Sequence, residues 1–119
     1  MLEEFPTGPS PLLMISVDET EAQFQRRVCD LAELYGWDWM HIEPMGSPKG
    51  WRTPTKGPLR QWPDLTLVRA GRIVFLELKA QKAPPPSDAQ RNVIRALSQA
   101  TEAYVVRPSD WAFILEVLA

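Results

Sequence analysis

Pro63-Asp64 is followed, twelve residues after the aspartate, by Leu76-Glu77-Leu78-Lys79. The run PDLTLVRAGRIVFLELK thus brings two carboxylates and one ammonium together across two apolar stretches and a short break. Hard carboxylate oxygens with water suit Mg²⁺ or Mn²⁺. Such a cation lowers the pKa of a water and offsets charge on a phosphate, which is the chemistry of phosphodiester hydrolysis. Lys79 can position that water or offset the developing negative charge. Each fragment has an ordinary reading, because Pro-Asp is common in turns and Glu-x-Lys is common as a solvated pair. Together they carry more weight, since Glu77 and Lys79 sit in an apolar strand where an unpaired charge is costly.

The elements that must position these groups follow from pattern. Residues 64–69 and 72–79 alternate as a hairpin around Ala70-Gly71. Ala-Gly is a poor two-residue turn, so a slightly longer loop is expected. In the second strand Ile73, Phe75, Glu77 and Lys79 share one face and Val74, Leu76 and Leu78 the other. Both faces are mostly apolar, which predicts a central strand. Upstream, Asp18 or Thr20 can cap a helix in which Phe24, Val28, Leu31 and Leu34/Tyr35 recur at helical spacing, with Gly36 as the stop. Glu21 falls on its buried face. Residues 37–43 read as a short strand and residues 44–63, rich in Pro and Gly, as a long loop. Pro84-Pro85-Pro86 ends the hairpin's second strand. Ser87 and Gln90 form a capping box for a helix to about Ala100, with Val93, Ile94 and Leu97 inward. Residues 103–107 read as a strand, and Pro108-Ser109-Asp110 starts a last helix carrying Trp111, Ile114, Leu115 and Leu118. The order is α-β-β-β-α-β-α. Residues 1–16 read as an irregular leader, broken by Pro6, Gly8, Pro9 and Pro11, and residues 17–119 as one α/β domain.

The 119 residues are 45% hydrophobic and 24% charged, which excludes a disordered chain and fits a single globular domain. No apolar run is long enough for a membrane helix. Glu3 and Glu4 stand where a secretion signal carries positive charge. Cys29 is the only cysteine, so no intrachain disulfide forms. It reads as a small buried apolar residue, and a cytoplasmic location is expected. The net charge of −2 excludes a protein that coats nucleic acid by bulk charge, so contacts with DNA would come from local clusters.

WPDLTLVRAGRIVFLELKAQK, SDAQRNVIRAL and AYVVRPSDW, with the preceding EAQFQRRVCDLAELYGW, resemble the PD-(D/E)XK nuclease superfamily, and within it the VRR-NUC branch of small stand-alone, phage-type members. The resemblance spans most of residues 18–118. It implies a restriction-endonuclease-like core, with a mixed central sheet flanked by helices. It also implies Asp64 and Glu77 as metal ligands and Lys79 as the catalytic lysine. Glu21 would be a further direct or water-mediated ligand, and Gln90 an ordering residue. Where family members commonly carry glycine just before Pro-Asp, this chain has Gln61-Trp62. The implied activity is a Mg²⁺- or Mn²⁺-dependent DNA endonuclease acting on branched DNA such as a four-way junction, as a homodimer.

Each residue also has a plainer reading. Glu21 can serve the helix dipole alone, and Gln90 can serve the cap alone. His41, the one histidine, is either a packed residue or a ligand. The segment 44–63 carries Lys49, Arg52, Lys56 and Arg60, with Trp51 and Trp62 interleaved and no acid among them. Cations pair with phosphates and rings stack on unpaired bases, so this segment reads as a DNA-engaging loop. Arg91 and Arg95, one turn apart, extend that surface. The alternatives to a nuclease are a non-catalytic, structure-specific DNA-binding module and an interaction subunit of a phage or repair assembly.

Overall fold

In a computed structural model, residues 19–42, 45–47, 50–52 and 55–119 are described, those at 45–47 and 50–52 by their backbone alone. The leader at 1–16 and the capping candidate Asp18 lie outside the described residues.

Thr20 opens the first helix by a reciprocal cap. Its hydroxyl accepts from the Gln23 N–H at 3.1 Å and the Gln23 side chain accepts from the Thr20 N–H at 2.9 Å. Helix α1 (Glu21–Leu34) buries Phe24, Val28, Leu31 and Ala32. The apolar stripe ends there. Contrary to the periodic reading, Leu34 is 76% exposed and Tyr35 also faces solvent, because the helix stops before its last turn can cover them. Gly36, at φ +81°, reverses the chain. Trp37 then drops into the core, and its indole N–H donates to the Leu118 carbonyl at 2.9 Å.

Strand β1 (Asp38–His41) is shorter than its sequence pattern suggests. The segment expected to be one long loop contains a small two-stranded sheet, β2 (Met45–Ser47) and β3 (Gly50–Arg52), paired antiparallel. Three-residue strands rich in glycine leave no alternation to read, so the order becomes α-β-β-β-β-β-α-β-α. The main hairpin is β4 (Leu65–Arg69) and β5 (Arg72–Leu78). Helix α2 (Asp88–Ser98) then crosses to β6 (Glu102–Val106), and a 3₁₀ turn (Pro108–Asp110) leads into helix α3 (Trp111–Leu118).

The main sheet is mixed, in the order β1-β4-β5-β6, with only β5 and β6 parallel. β5 is therefore central. Leu65, Leu67, Val74, Leu76 and Leu78 pack with Phe24, Val28, Ile114 and Leu118 as one core. On the other face Phe75, Ala103 and Val93 of α2 are also buried. Two covered faces explain why β5 reads as apolar throughout. Full burial of each such side chain contributes about 1.5–3 kcal/mol, so the strand carrying Glu77 is among the most firmly held parts of the fold.

The hairpin turn is tighter than its residues suggest. Arg69 pairs with Arg72, leaving only Ala70 at φ +45° and Gly71 at φ +83° between them. Positive φ at both positions matches the right-handed twist of the strands. Ala70 adopts it against the clash of its own Cβ. Ala70→Asn will therefore stabilise the protein by about 0.5–1 kcal/mol, asparagine being favoured in this turn. A urea titration with an unmoved or lowered midpoint would show that Ala70 carries no strain. Among the described residues no helix is long and apolar enough to cross a membrane.

Candidate metal centre

The β4–β5 register decides the site. Leu65 pairs with Leu76, which sets Asp64 opposite Glu77 at the open end of the hairpin. Pro63 is fully buried before it, so the chain enters the sheet at a fixed point. The Leu78 N–H donates to Asp64 Oδ2 at 2.8 Å. The Asp64 N–H faces the Glu77 carboxylate, and the two carboxyl groups lie side by side. Two carboxylates in contact must share a proton or a cation.

Lys79 follows directly after β5, its N–H donating to the Val106 carbonyl at 3.0 Å. Its Nζ lies 3.7 Å from Glu77 Oε2 and donates to Gln90 Oε1 at 3.2 Å. Gln90 Nε2 in turn donates to Glu77 Oε2 at 3.1 Å. Gln90 also completes the cap of α2. Its N–H donates to Ser87 Oγ at 3.1 Å, and its Oε1 accepts from the Ser87 N–H at 2.9 Å. Gln90 thus caps the helix and contacts Glu77 and Lys79 at once: capping freezes the rotamer that reaches both.

Glu21 differs from its expected placement. Its residue is exposed rather than buried, at the lip of the cluster. Its carboxylate faces the Ala80 N–H and feels the charges of Asp64 and Lys79. The buried acid of this region is instead Glu19, which forms a two-bond ion pair with Arg27 at 2.6 and 2.8 Å. Arg27 lies over the Trp111 ring, 4.1 Å from its centroid. This structural pair ties α1 to α3, and its sequence separation of eight residues gives no sign of it.

The electrostatics are those of a site short of positive charge. Burial first, and then the charges of Asp64 and Glu21, push the Glu77 carboxyl up to about 7, against the pull of Lys79. Burial likewise raises Asp64, with the Leu78 N–H, His41 and Lys79 opposing it. Partial burial and then Asp64 raise Glu21. A divalent cation would relieve all three shifts, and the donors are hard oxygens. That fits Mg²⁺ or Mn²⁺, which bind through one or two carboxylates and retain waters. Among the described residues no three His, Cys, Asp or Glu side chains form a ready cage. The donor set is thus Asp64 and Glu77 in contact, with Glu21 standing beyond them. His41 neighbours Asp64, and the next residue's N–H donates to the Asp64 carbonyl at 3.1 Å.

The basic residues are less unified. Lys49 and the side chains of Trp51 and Arg52 lie outside the described residues. Lys56 and Arg60 are exposed, on a turn closed by the Arg60 N–H to the Gly57 carbonyl at 3.1 Å. Trp62 is half-buried and sets its ring edge-on to Phe75, centroids 5.2 Å apart. It thereby anchors the approach to Asp64. Arg91 is exposed but paired with Asp88 and the Pro86 carbonyl. Arg95 donates to Asn92 Oδ1 at 3.1 Å.

Compared with protein-family models, curated proteins and solved structures, the chain matches none. What the fold and site define is an α/β protein with paired, desolvated carboxylates, a lysine and a capping glutamine at the end of a mixed sheet.

Proposed function

We propose that this protein is a metal-dependent nuclease of the PD-(D/E)XK type, resembling the VRR-NUC branch, that hydrolyses DNA phosphodiester bonds. One observation carries the reading: Asp64 and the buried Glu77 lie side by side while Lys79 is held beside Glu77 by Gln90. Structural ion pairs do not need two carboxylates in contact, each raised above its ordinary range. The finer fold reading is a restriction-endonuclease-like core. It is supported by an antiparallel hairpin that carries the acids and lysine, next to a parallel strand reached through α2.

When bound, Mg²⁺ or Mn²⁺ would supply charge neutralisation at the phosphate and a water of lowered pKa. The chain's own residues do the rest. Asp64 and Glu77 would hold the cation, with Glu21 able to add a water-mediated contact. The Leu78 N–H fixes the Asp64 carboxylate, so it does not swing to meet each substrate. Lys79 offers an N–H donor and a positive charge beside the site, where negative charge grows as water attacks phosphorus. Gln90 keeps that ammonium from collapsing onto Glu77. Lys56, Arg60, Arg91 and Arg95 would meet flanking phosphates. The resemblance extends the proposal to branched DNA, with a four-way junction as the first candidate, and to a homodimer, whose symmetry suits two equivalent cuts.

The test is a cleavage panel of labelled four-way, flapped and linear DNA with Mg²⁺, Mn²⁺ or EDTA, with light scattering on the same sample. Cleavage is expected in either metal and none in EDTA, fastest on the four-way substrate. Folded protein that binds the junction yet yields no product in either metal would mark it as a binding module instead.

A further inference from the structure

The segment joining Lys79 to Gln90 is held by a residue distant in sequence. Arg107 follows β6, and its guanidinium donates from Nη1 to the carbonyls of Ala80 at 2.7 Å, Gln81 at 3.3 Å and Ala83 at 3.0 Å, and from Nη2 to Pro84 at 3.4 Å. Around it, the Ser109 N–H donates to the Gln81 side chain at 2.8 Å and the Arg107 N–H to Asp110 Oδ2 at 2.8 Å. The Ala83 N–H closes a turn onto the Ala80 carbonyl at 3.1 Å. Backbone carbonyls that converge in this way repel one another unless a fork of donors lies between them. Guanidinium is the side chain that presents several N–H groups in a fixed plane.

The position of that fork matters for the cluster described above. Ala80 is held through its carbonyl by Arg107, and its N–H faces the Glu21 carboxylate. Lys79 precedes it, and Pro84–Pro86 lead from it into the Ser87 cap and Gln90. Three members of the cluster, Glu21, Lys79 and Gln90, therefore depend on where residues 80–84 lie.

The geometry points to Arg107 as a positioning residue: by gathering the carbonyls of residues 80–84 it sets Lys79, Gln90 and the Ala80 contact of Glu21 in register with Asp64 and Glu77. This rests on the nuclease reading, since the register matters only if the cluster works as a site. Arg107 itself hydrogen-bonds none of those side chains, so its effect runs through the segment it holds.

The test compares Arg107→Ala and Arg107→Lys with Arg72→Ala. Arg72 bonds Glu102 and the Val117 carbonyl away from the site and serves as a control for simple loss of stability. Three quantities are measured: amide exchange at Ala80 and Ala83 by NMR without metal, Mn²⁺ affinity by electron paramagnetic resonance, and single-substrate kinetics. Arg107→Ala is expected to speed exchange at both amides and to weaken Mn²⁺ binding about tenfold. It should lower kcat about 10–100-fold, the usual effect of removing an outer support, with KM within about twofold. Arg107→Lys, with donors from a single point, should recover part of each loss. Arg72→Ala should lower the melting temperature and leave exchange at Ala80, Mn²⁺ affinity and kcat at wild-type values. The inference is overturned if Arg107→Ala keeps wild-type exchange, or keeps both Mn²⁺ affinity and kcat. It is equally overturned if Arg72→Ala reproduces the same losses. If wild-type protein neither binds Mn²⁺ nor cleaves, the nuclease reading falls, and unchanged exchange at Ala80 would then remove the role of Arg107 as well.

Discussion

Glu77→Gln is expected to slow the proposed DNA cleavage by on the order of 10²–10³-fold and yet make the metal-free protein more stable at pH 8. The first effect follows from losing one of two carboxylates in contact at the candidate centre. The second follows from linkage. Burial and neighbouring acids raise the Glu77 carboxyl from its ordinary 4.5 to about 7 in the folded chain. The folded state therefore holds a proton that the unfolded state has already released between those values. Stability from this group is complete below about pH 4.5 and is lost as pH rises through about 7. At pH 8 the wild type has lost on the order of 3 kcal/mol in this way, which corresponds to several degrees of melting temperature for a chain of this size. Glutamine does not titrate, so the variant should lose less melting temperature between pH 5 and pH 8 than wild type does. Added Mn²⁺ should restore the wild type at pH 8 by mass action and leave the variant almost unmoved. Thermal melts at both pH values, with and without Mn²⁺, check all of this. A variant that melts below wild type at pH 8 without metal would show that Glu77 is an ordinary ion-pair partner of Lys79.

Lys79→Met should cost on the order of 10²–10³-fold in cleavage rate, with DNA binding in EDTA, read by fluorescence anisotropy, changed little. Methionine keeps the length of the stem and removes the charge. Two consequences separate this role from general damage. Lys79 pulls the Glu77 carboxyl down, so removing it pushes that group higher still. The loss of metal-free stability with rising pH then extends to higher pH than in wild type. Moreover, in the proposed mechanism Lys79 and Glu77 serve one centre, so the double variant Glu77→Gln with Lys79→Met should cleave about as slowly as Glu77→Gln alone, groups acting as a unit being far from additive. Multiplying penalties would place Lys79 outside that unit.

Several features were legible before any folded arrangement was known, and each for a local reason. Ser87 announces a helix start because a hydroxyl three residues before a glutamine is a self-contained cap, and Thr20, one of two cap candidates for the first helix, proves to be the one with its own glutamine partner. The apolar character of both faces of β5 marks a central strand, because side-chain direction follows from backbone pleat alone. Asp64, Glu77 and Lys79 could be grouped because a hairpin brings together residues that straddle one turn, whatever surrounds it. Other features failed to show for equally physical reasons. The β2–β3 pair has glycine where alternation would be read. Leu34 and Tyr35 continue the helical spacing past the point where anything covers them. Glu21 faces the cluster from its lip, a placement set by how α1 crosses the sheet.

Residue type and spacing thus establish the chemistry available to this chain: two carboxylates, a lysine and a glutamine on neighbouring elements. The fold supplies the properties that make them a site. Burial of β5 between two layers raises Glu77, which no spacing encodes, because desolvation depends on everything packed around a group. The contact of Gln90 with both Glu77 and Lys79 depends on α2 lying across the sheet. The hold of Arg107 on residues 80–84 joins positions more than twenty residues apart. Hydrogen bonds of that reach are selected by the assembled backbone, since only there do those carbonyls converge on one guanidinium.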